Sequence, residues 1–167
     1  MKTCVFAGSF DPFTLGHKAV VDKLLNKKRN VIITVGDNPE KAPFFTPAER
    51  AEIIKAAYEK EKRVKVVVFG GDLAAYKKML ERAGASEYYR GIRDERDLEY
   101  EKKAEEKNKE IYQGIETKYV IINRFYGISS TFVKERLKEG LDVKKYIPKK
   151  AYPTFMKILK EKQKGEN

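Results

Sequence analysis

Short apolar runs alternate with stretches of helical periodicity, and the two patterns follow each other in regular order. Thr3 to Ala7 is continuous, apolar and closed by Gly8, which reads as a strand buried on both faces. Ala19, Val20, Leu24 and Leu25 recur at helical spacing between Leu15 and Asn26, and Val31 to Val35 reads as a second buried strand. At Thr46-Pro47-Ala48-Glu49 three helix-start signals coincide: a hydroxyl N-cap, proline at the first helical position and glutamate at the third. They predict a helix from Pro47 to about Tyr58. Val64 to Phe69 reads as strand three, Asp72 to Ala83 as a helix, Glu87 to Tyr89 as a short strand, Arg96 to Tyr112 as a helix and Lys118 to Asn123 as strand five, with helices closing the chain. Strands without polar alternation, separated by helices, imply a five-stranded parallel sheet covered on both faces. The expectation is a single doubly wound α/β domain over residues 1–161, with a frayed basic tail from Lys162 to Asn167.

Composition narrows the setting. The 167 residues, 41% hydrophobic and 37% charged, suffice to bury a core without disulfides or a structural metal. One cysteine and one histidine exclude an internal disulfide and a cysteine-histidine zinc cluster, which fits a reducing, cytoplasmic setting. No apolar run approaches the roughly 20 residues of a membrane span, and the N-terminus is too poor in apolar residues for a secretory signal, so no membrane partner is expected.

A net charge of +11 raises the question of nucleic acid. However, Phe132 to Asn167 holds 11 basic against 5 acidic residues, so more than half of the excess lies on the closing helices, where lysine commonly solvates an outer face. Lysine also outnumbers arginine 27 to 9, the reverse of what bidentate recognition favours. No nucleic-acid partner is expected.

In a doubly wound sheet, ligands bind beyond the carboxyl ends of the strands, which directs attention to the loop after strand one. It runs Gly8-Ser9-Phe10-Asp11-Pro12-Phe13-Thr14-Leu15-Gly16-His17. Gly8 and Gly16 permit close approaches that a side chain would block, and the following helix directs free N–H groups and a positive dipole end at its ligand. That environment suits phosphate, and His17 at the helix start can donate to a phosphate oxygen. The loop is neither the lysine-containing P-loop nor the three-glycine dinucleotide fingerprint.

The same residues carry a family likeness. Gly8 to Pro12 followed by Thr14-Leu15-Gly16-His17 resembles the (His or Thr)-x-Gly-His signature of the nucleotidyltransferase superfamily, and within it the phosphopantetheine adenylyltransferases. Three further segments, in order, resemble that family: Asn38 to Phe45, with Lys41 at its substrate-phosphate lysine; Arg90-Gly91-Ile92-Arg93 followed by Asp97-Leu98-Glu99-Tyr100-Glu101; and Ile128-Ser129-Ser130-Thr131 at a helix start. The chain departs from the family at Tyr126-Gly127, in the highly charged stretch Lys102 to Glu110, and by about two extra residues between Asp72 and Arg90.

The resemblance implies a Rossmann-like nucleotidyltransferase fold and a reaction joining 4'-phosphopantetheine to the α-phosphorus of ATP, giving dephospho-coenzyme A and pyrophosphate. By the same resemblance His17, Lys41 and Arg90 are the catalytic set. ATP would be held by Ser9, Phe10, His17, Gly91, Ile92, Arg93, Glu101, Phe125, Tyr126, Gly127, Ile128, Ser129, Ser130 and Thr131, and the acceptor by Ser9, Lys41, Leu73, Ala74 and Arg90. Mg²⁺ bound mainly through substrate phosphates is implied, with no protein metal ligands, as is a homo-oligomer, hexameric in the family. Three other readings stay open on the residues alone: a sister nucleotidyltransferase acting on a pyridine mononucleotide or an alcohol phosphate, a basic RNA-binding module, and a silent nucleotide sensor.

Overall fold

Thr3–Gly8 forms β1 at the middle of the sheet, because residues of both parities are apolar: Cys4 and Phe6 pack into one core and Val5 into the other. The structure, a computed structural model, describes residues 1–37, 42–92, 94–121 and 128–166, leaving aside the side chains at 104, 107 and 108. Lys41, Arg93, Phe125, Tyr126, Gly127 and the expected end of strand five at Asn123 lie outside the described residues.

After β1 come α1 (Leu15–Asn26), β2 (Asn30–Gly36), α2 (Pro47–Ala57), β3 (Val64–Phe69), α3 (Leu73–Arg82), β4 (Ala85–Ile92), α4 (Glu95–Asn108), β5 (Glu116–Ile121), α5 (Ser130–Lys138) and α6 (Tyr152–Gly165). The sheet order is β3-β2-β1-β4-β5 and every pairing is parallel. The chain builds outward from β1 through β2 to β3, then returns to place β4 on the other side of β1. The strand order therefore reverses between β1 and β4, and a crevice opens beyond their carboxyl ends.

The larger core lies on one face, where α1, α2, α5 and α6 contribute Val20, Leu24, Ile53, Ile54, Val133, Phe155 and Ile158. On the other face a smaller cluster gathers Val5, Ile32, Tyr76, Leu80 and Tyr88. The start of α2 forms as its sequence dictates. Thr46 Oγ1 accepts from the Glu49 N–H at 3.2 Å, and the Glu49 carboxylate accepts from the Thr46 N–H at 2.9 Å.

Four elements differ from the pattern-based expectation. β4 is the full strand Ala85–Ile92 rather than three residues, because its charged positions are accommodated in the sheet. Glu87 is buried and accepts from Arg29 Nε at 2.6 Å and from Lys118 Nζ at 2.8 Å, with Lys2 Nζ at 3.7 Å. Burial alone would push its carboxyl up, but the bonds from Arg29 and Lys118 outweigh that and hold it down at about 2. β5 begins at Glu116, two residues early, because an edge strand tolerates polar residues on its open side. α4 stops at Asn108 instead of Tyr112, since the chain turns back to stack Tyr112 on Tyr88, with ring centroids 3.8 Å apart. Finally, α6 continues through Gly165 where fraying was expected from Lys162, whose ammonium meets the Glu49 carboxylate at 3.2 Å.

Candidate active site

The crevice between β1 and β4 holds a cavity of about 290 Å³. It is lined by the end of β1 (Phe6, Ala7, Gly8), the loop after it (Ser9, Phe10), the first turns of α1 (Gly16, His17, Val20), the end of β4 (Arg90, Gly91), α4 (Asp97, Glu101) and the start of α5 (Ile128, Ser129, Ser130). A larger hollow of about 640 Å³ opens beside the end of α4, lined by Glu105, Glu106 and Glu110 against one lysine, Lys109. Three carboxylates there repel a polyphosphate; the smaller cavity sets Arg90 and two helix starts beside Asp97 and Glu101, the latter bonded to Arg90.

The loop after β1 owes its shape to a buried aromatic group. Phe10 sits in the left-handed region, φ 51°, which costs a non-glycine residue on the order of 1 kcal/mol. Its ring offsets that cost against Phe6, Phe13 and His17, with centroids 5.3, 5.6 and 5.0 Å away. A Cβ at Gly8 would lie 3.1 Å from the Phe10 ring, so this glycine serves the aromatic packing that folds the loop.

His17 is the third residue of α1, where a capping box places its reciprocal acceptor. The Thr14 N–H donates to His17 Nδ1 at 3.0 Å. Phe13 stacks on the imidazole at 5.5 Å and 24°, and Phe10 meets it edge-on. Ring position and tautomer are therefore both set, with the proton on Nε2.

Arg90, near the end of β4, donates through Nε to the Glu101 carboxylate, and its guanidinium lies 5.6 Å from the Tyr88 ring. Its Nη1 is buried without a hydrogen-bond partner among the described residues, leaving a strong donor for an incoming anion. At the start of α5, Ser129 is the N-cap, accepting from the Phe132 N–H at 3.1 Å, and Ser130 Oγ donates to the Pro12 carbonyl at 2.9 Å. The hydroxyls thus shape and anchor a helix start that lines the cavity, the kind of position that suits an anion.

Of the residues singled out from the sequence, Ser9, Phe10, His17, Arg90, Gly91, Glu101, Ile128, Ser129 and Ser130 line this one cavity. Ile92 is buried, Thr131 is exposed on α5, and Leu73 and Ala74 begin α3 beyond the edge strand β3; none of these four lines it. Sequence reasoning missed the role of Asp11. This buried carboxylate accepts from the Phe44 and Phe45 N–H groups at 2.9 and 2.8 Å and from Lys134 Nζ at 3.2 Å. It was in view only as part of the Gly-Ser-Phe-Asp-Pro string; no local signal names partners more than 30 positions away.

A phosphate-suited crevice at the switch point of a parallel sheet is where an α/β protein holds a nucleotide. The family model for cytidylyltransferase-like proteins matches residues 5–136. The chain is 36% identical over 149 residues to the phosphopantetheine adenylyltransferase of Heliobacterium modesticaldum, covering 89% of this chain and 87% of that one. It is 35% identical over 163 residues to the phosphopantetheine adenylyltransferase of Ralstonia pickettii, covering 97% and 93%. The chain belongs to the cytidylyltransferase-like family and, within it, to the phosphopantetheine adenylyltransferases.

Proposed function

We propose that the protein transfers the adenylyl group of ATP to the phosphate of 4'-phosphopantetheine, forming dephospho-coenzyme A and releasing pyrophosphate. The observation that carries this reading is the meeting of the Gly8-Ser9 loop, His17, Arg90 and the α5 start in one crevice at the switch point of the sheet. An acceptor phosphate oxygen attacks the α-phosphorus of ATP, a new P–O bond forms, and the bond to the β-phosphate breaks. A phosphate monoester is already largely ionised at neutral pH, so no protein nucleophile or strong base is needed, and the work is positioning and charge stabilisation.

His17 Nε2–H is assigned to an α-phosphate oxygen, where charge and geometry change most on reaching the transition state. Arg90 and Lys41 are assigned to the attacking phosphate, and Arg93 with the α5 start to the β- and γ-phosphates. Glu101 orients Arg90 through the Nε bond and stands beside the nucleotide. Leu73 and Ala74 are kept as contacts for the pantetheine arm, outside the phosphate crevice.

Mg²⁺ carried by phosphate oxygens and water belongs to the proposal, with no residue of this chain assigned as its ligand. When bound, Mg²⁺ neutralises phosphate charge. Among the described residues no helix is long and apolar enough to cross a membrane. A cytoplasmic homo-oligomer, hexameric as in the family and without a nucleic-acid partner, completes the proposal; light scattering showing a monomer at all working concentrations would remove the assembly without touching the chemistry. The deciding experiment for the reaction is pyrophosphate release with ATP or CTP against a panel of phosphorylated acceptors. ATP with 4'-phosphopantetheine is expected to be the productive pair, and turnover only with a pyridine mononucleotide overturns it.

A further inference from the structure

Arg50, on α2, is buried to 1% exposure although it lines no part of the crevice. Its guanidinium reaches the Thr46 carbonyl of its own helix start at 3.3 Å and three carbonyls outside the helix. Nη1 donates to Ser9 O at 2.7 Å and to Gly36 O at 2.8 Å, and Nε donates to Phe45 O at 3.0 Å. Nη2 stands 3.7 Å from the Asp37 carboxylate and is buried without a hydrogen-bond partner among the described residues. Among the described residues no carboxylate is hydrogen-bonded to this buried cation, and an apolar side chain of similar size would avoid its desolvation cost.

The three carbonyls lie on the loop after β1, at the end of β2 and just before α2. Ser9 lies in the loop after β1, while Gly36 and Phe45 stand on either side of the segment that leaves β2 and enters α2. Asp11 holds the same junction from its other side through the N–H groups of Phe44 and Phe45. The peptide groups of Phe45 are thus gripped at both ends, its N–H by Asp11 and its C=O by Arg50.

We infer that Arg50 is a positioning residue for the transfer step: it fixes the loop after β1, which holds the α-phosphate, relative to Gly36 and Phe45, the two flanks of the stretch that carries the acceptor lysine in sequence. The inference rests on the proposed reading, in which Ser9 and His17 serve the nucleotide and Lys41, between Gly36 and Phe45 in sequence, serves the acceptor. In-line attack is steep in distance, and a misplacement of about 1 Å can cost about 10²-fold in rate. A planar guanidinium reaches carbonyls on separate loops from one rigid fork, which a lysine ammonium, a single point on a flexible stem, does not.

The test compares wild type, Arg50→Lys and Asp11→Asn in the full chain, with kcat expressed per ATP-binding site counted by titration. Arg50→Lys is expected to lower kcat per site by about 10- to 100-fold while the KM of each substrate and the Kd of ATP stay within about 3-fold. A residue that only supports folding would lower the number of competent sites and leave kcat per site alone. Unchanged kcat per site, or a loss confined to KM, overturns the inference. Should Arg50→Lys show no cooperative melt, Asp11→Asn, which removes an acceptor from the same junction, carries the same expectation and the same overturning result. Wild-type turnover is measured first. Its absence with ATP and 4'-phosphopantetheine refutes the substrate reading, and Arg50 is then tested on whichever pair releases pyrophosphate.

Discussion

The N–H of Thr14 donates to Nδ1 of His17 at 3.0 Å, so one hydrogen bond caps the first turn of α1 and also places the imidazole proton on Nε2. Local helix chemistry and the proposed chemistry of the site therefore share a residue. The single histidine of the chain is held as a donor by the backbone and by the rings of Phe10 and Phe13.

His17→Ala is expected to lower kcat by about 10² to 10³, with the Kd of ATP changed by less than about 5-fold, since a donor engaged chiefly in the transition state affects rate more than affinity. Near-normal kcat with weakened ATP binding would make His17 a binding residue. Lys41→Ala is expected to raise the KM of the acceptor as well as lower kcat, because a cation on the attacking phosphate acts before and during reaction. Steady-state kinetics on both variants, with ATP affinity by calorimetry, checks the contrast.

Glu87 sets an acid limit on stability. Its carboxyl is held at about 2 in the folded chain against an ordinary value of 4.5, so its contribution is fully present above 4.5 and is lost as pH falls from there toward 2. Melting temperatures of wild type and Glu87→Gln should differ most at neutral pH and converge through that window. Replacing one partner of a buried pair costs about 3 to 5 kcal/mol, and the partial exposure of Arg29 and Lys118 places Glu87→Gln at or below the lower end. Parallel curves would remove Glu87 as the cause.

The end of α6 should be dispensable for chemistry and slightly useful for stability. Leu159 is its last buried residue, and beyond it Lys162 pairs with Glu49 and lies 5.9 Å from the rings of Phe44 and Phe45. Deleting residues 163–167 is expected to leave melting and turnover unchanged, whereas deleting 160–167 should cost about 1 kcal/mol or less with turnover kept. Loss of turnover on the shorter deletion would overturn this, as would loss of a sub-micromolar, sequence-selective RNA complex.

Cys4 should be silent to thiol reagents. It is fully buried in β1, and burial, followed by the nearby Glu87 charge, pushes its thiol up to about 12. A disulfide reagent at pH 8 is expected to label it only after denaturation; rapid labelling of the native protein would show that β1 opens.

Much of the architecture is legible in short windows of the sequence. β3 appears over Val64 to Phe69 as its four valines and Phe69, interrupted only by Lys65, predict, and α2 begins at Pro47 because Thr46, Pro47 and Glu49 act within one turn. The Gly8 to His17 string likewise marks the crevice, since loop, glycine and helix start are contiguous in the chain. Elements whose character depends on distant partners were less legible. Only Glu87 to Tyr89 of β4 is legible; its ends at Ala85 and at Arg90 to Ile92 join the strand through the tertiary pairing, with Arg90 neutralised by Glu101 from α4.

What the sequence by itself determined was the order of strands and helices, the parallel doubly wound class and the residues of the phosphate loop, because periodicity, capping and glycine act over a few neighbouring positions. The tertiary structure alone decided the strand order that opens the crevice, the anchoring of α5 through Ser130 to Pro12, and the gathering of Ser9, Gly36 and Phe45 around Arg50. Apart from Phe45, five positions from Arg50, those contacts join residues separated by 118, 41 and 14 positions. Their free energy arises only once the core has closed and removed water from the groups that meet, and no local pattern encodes that event.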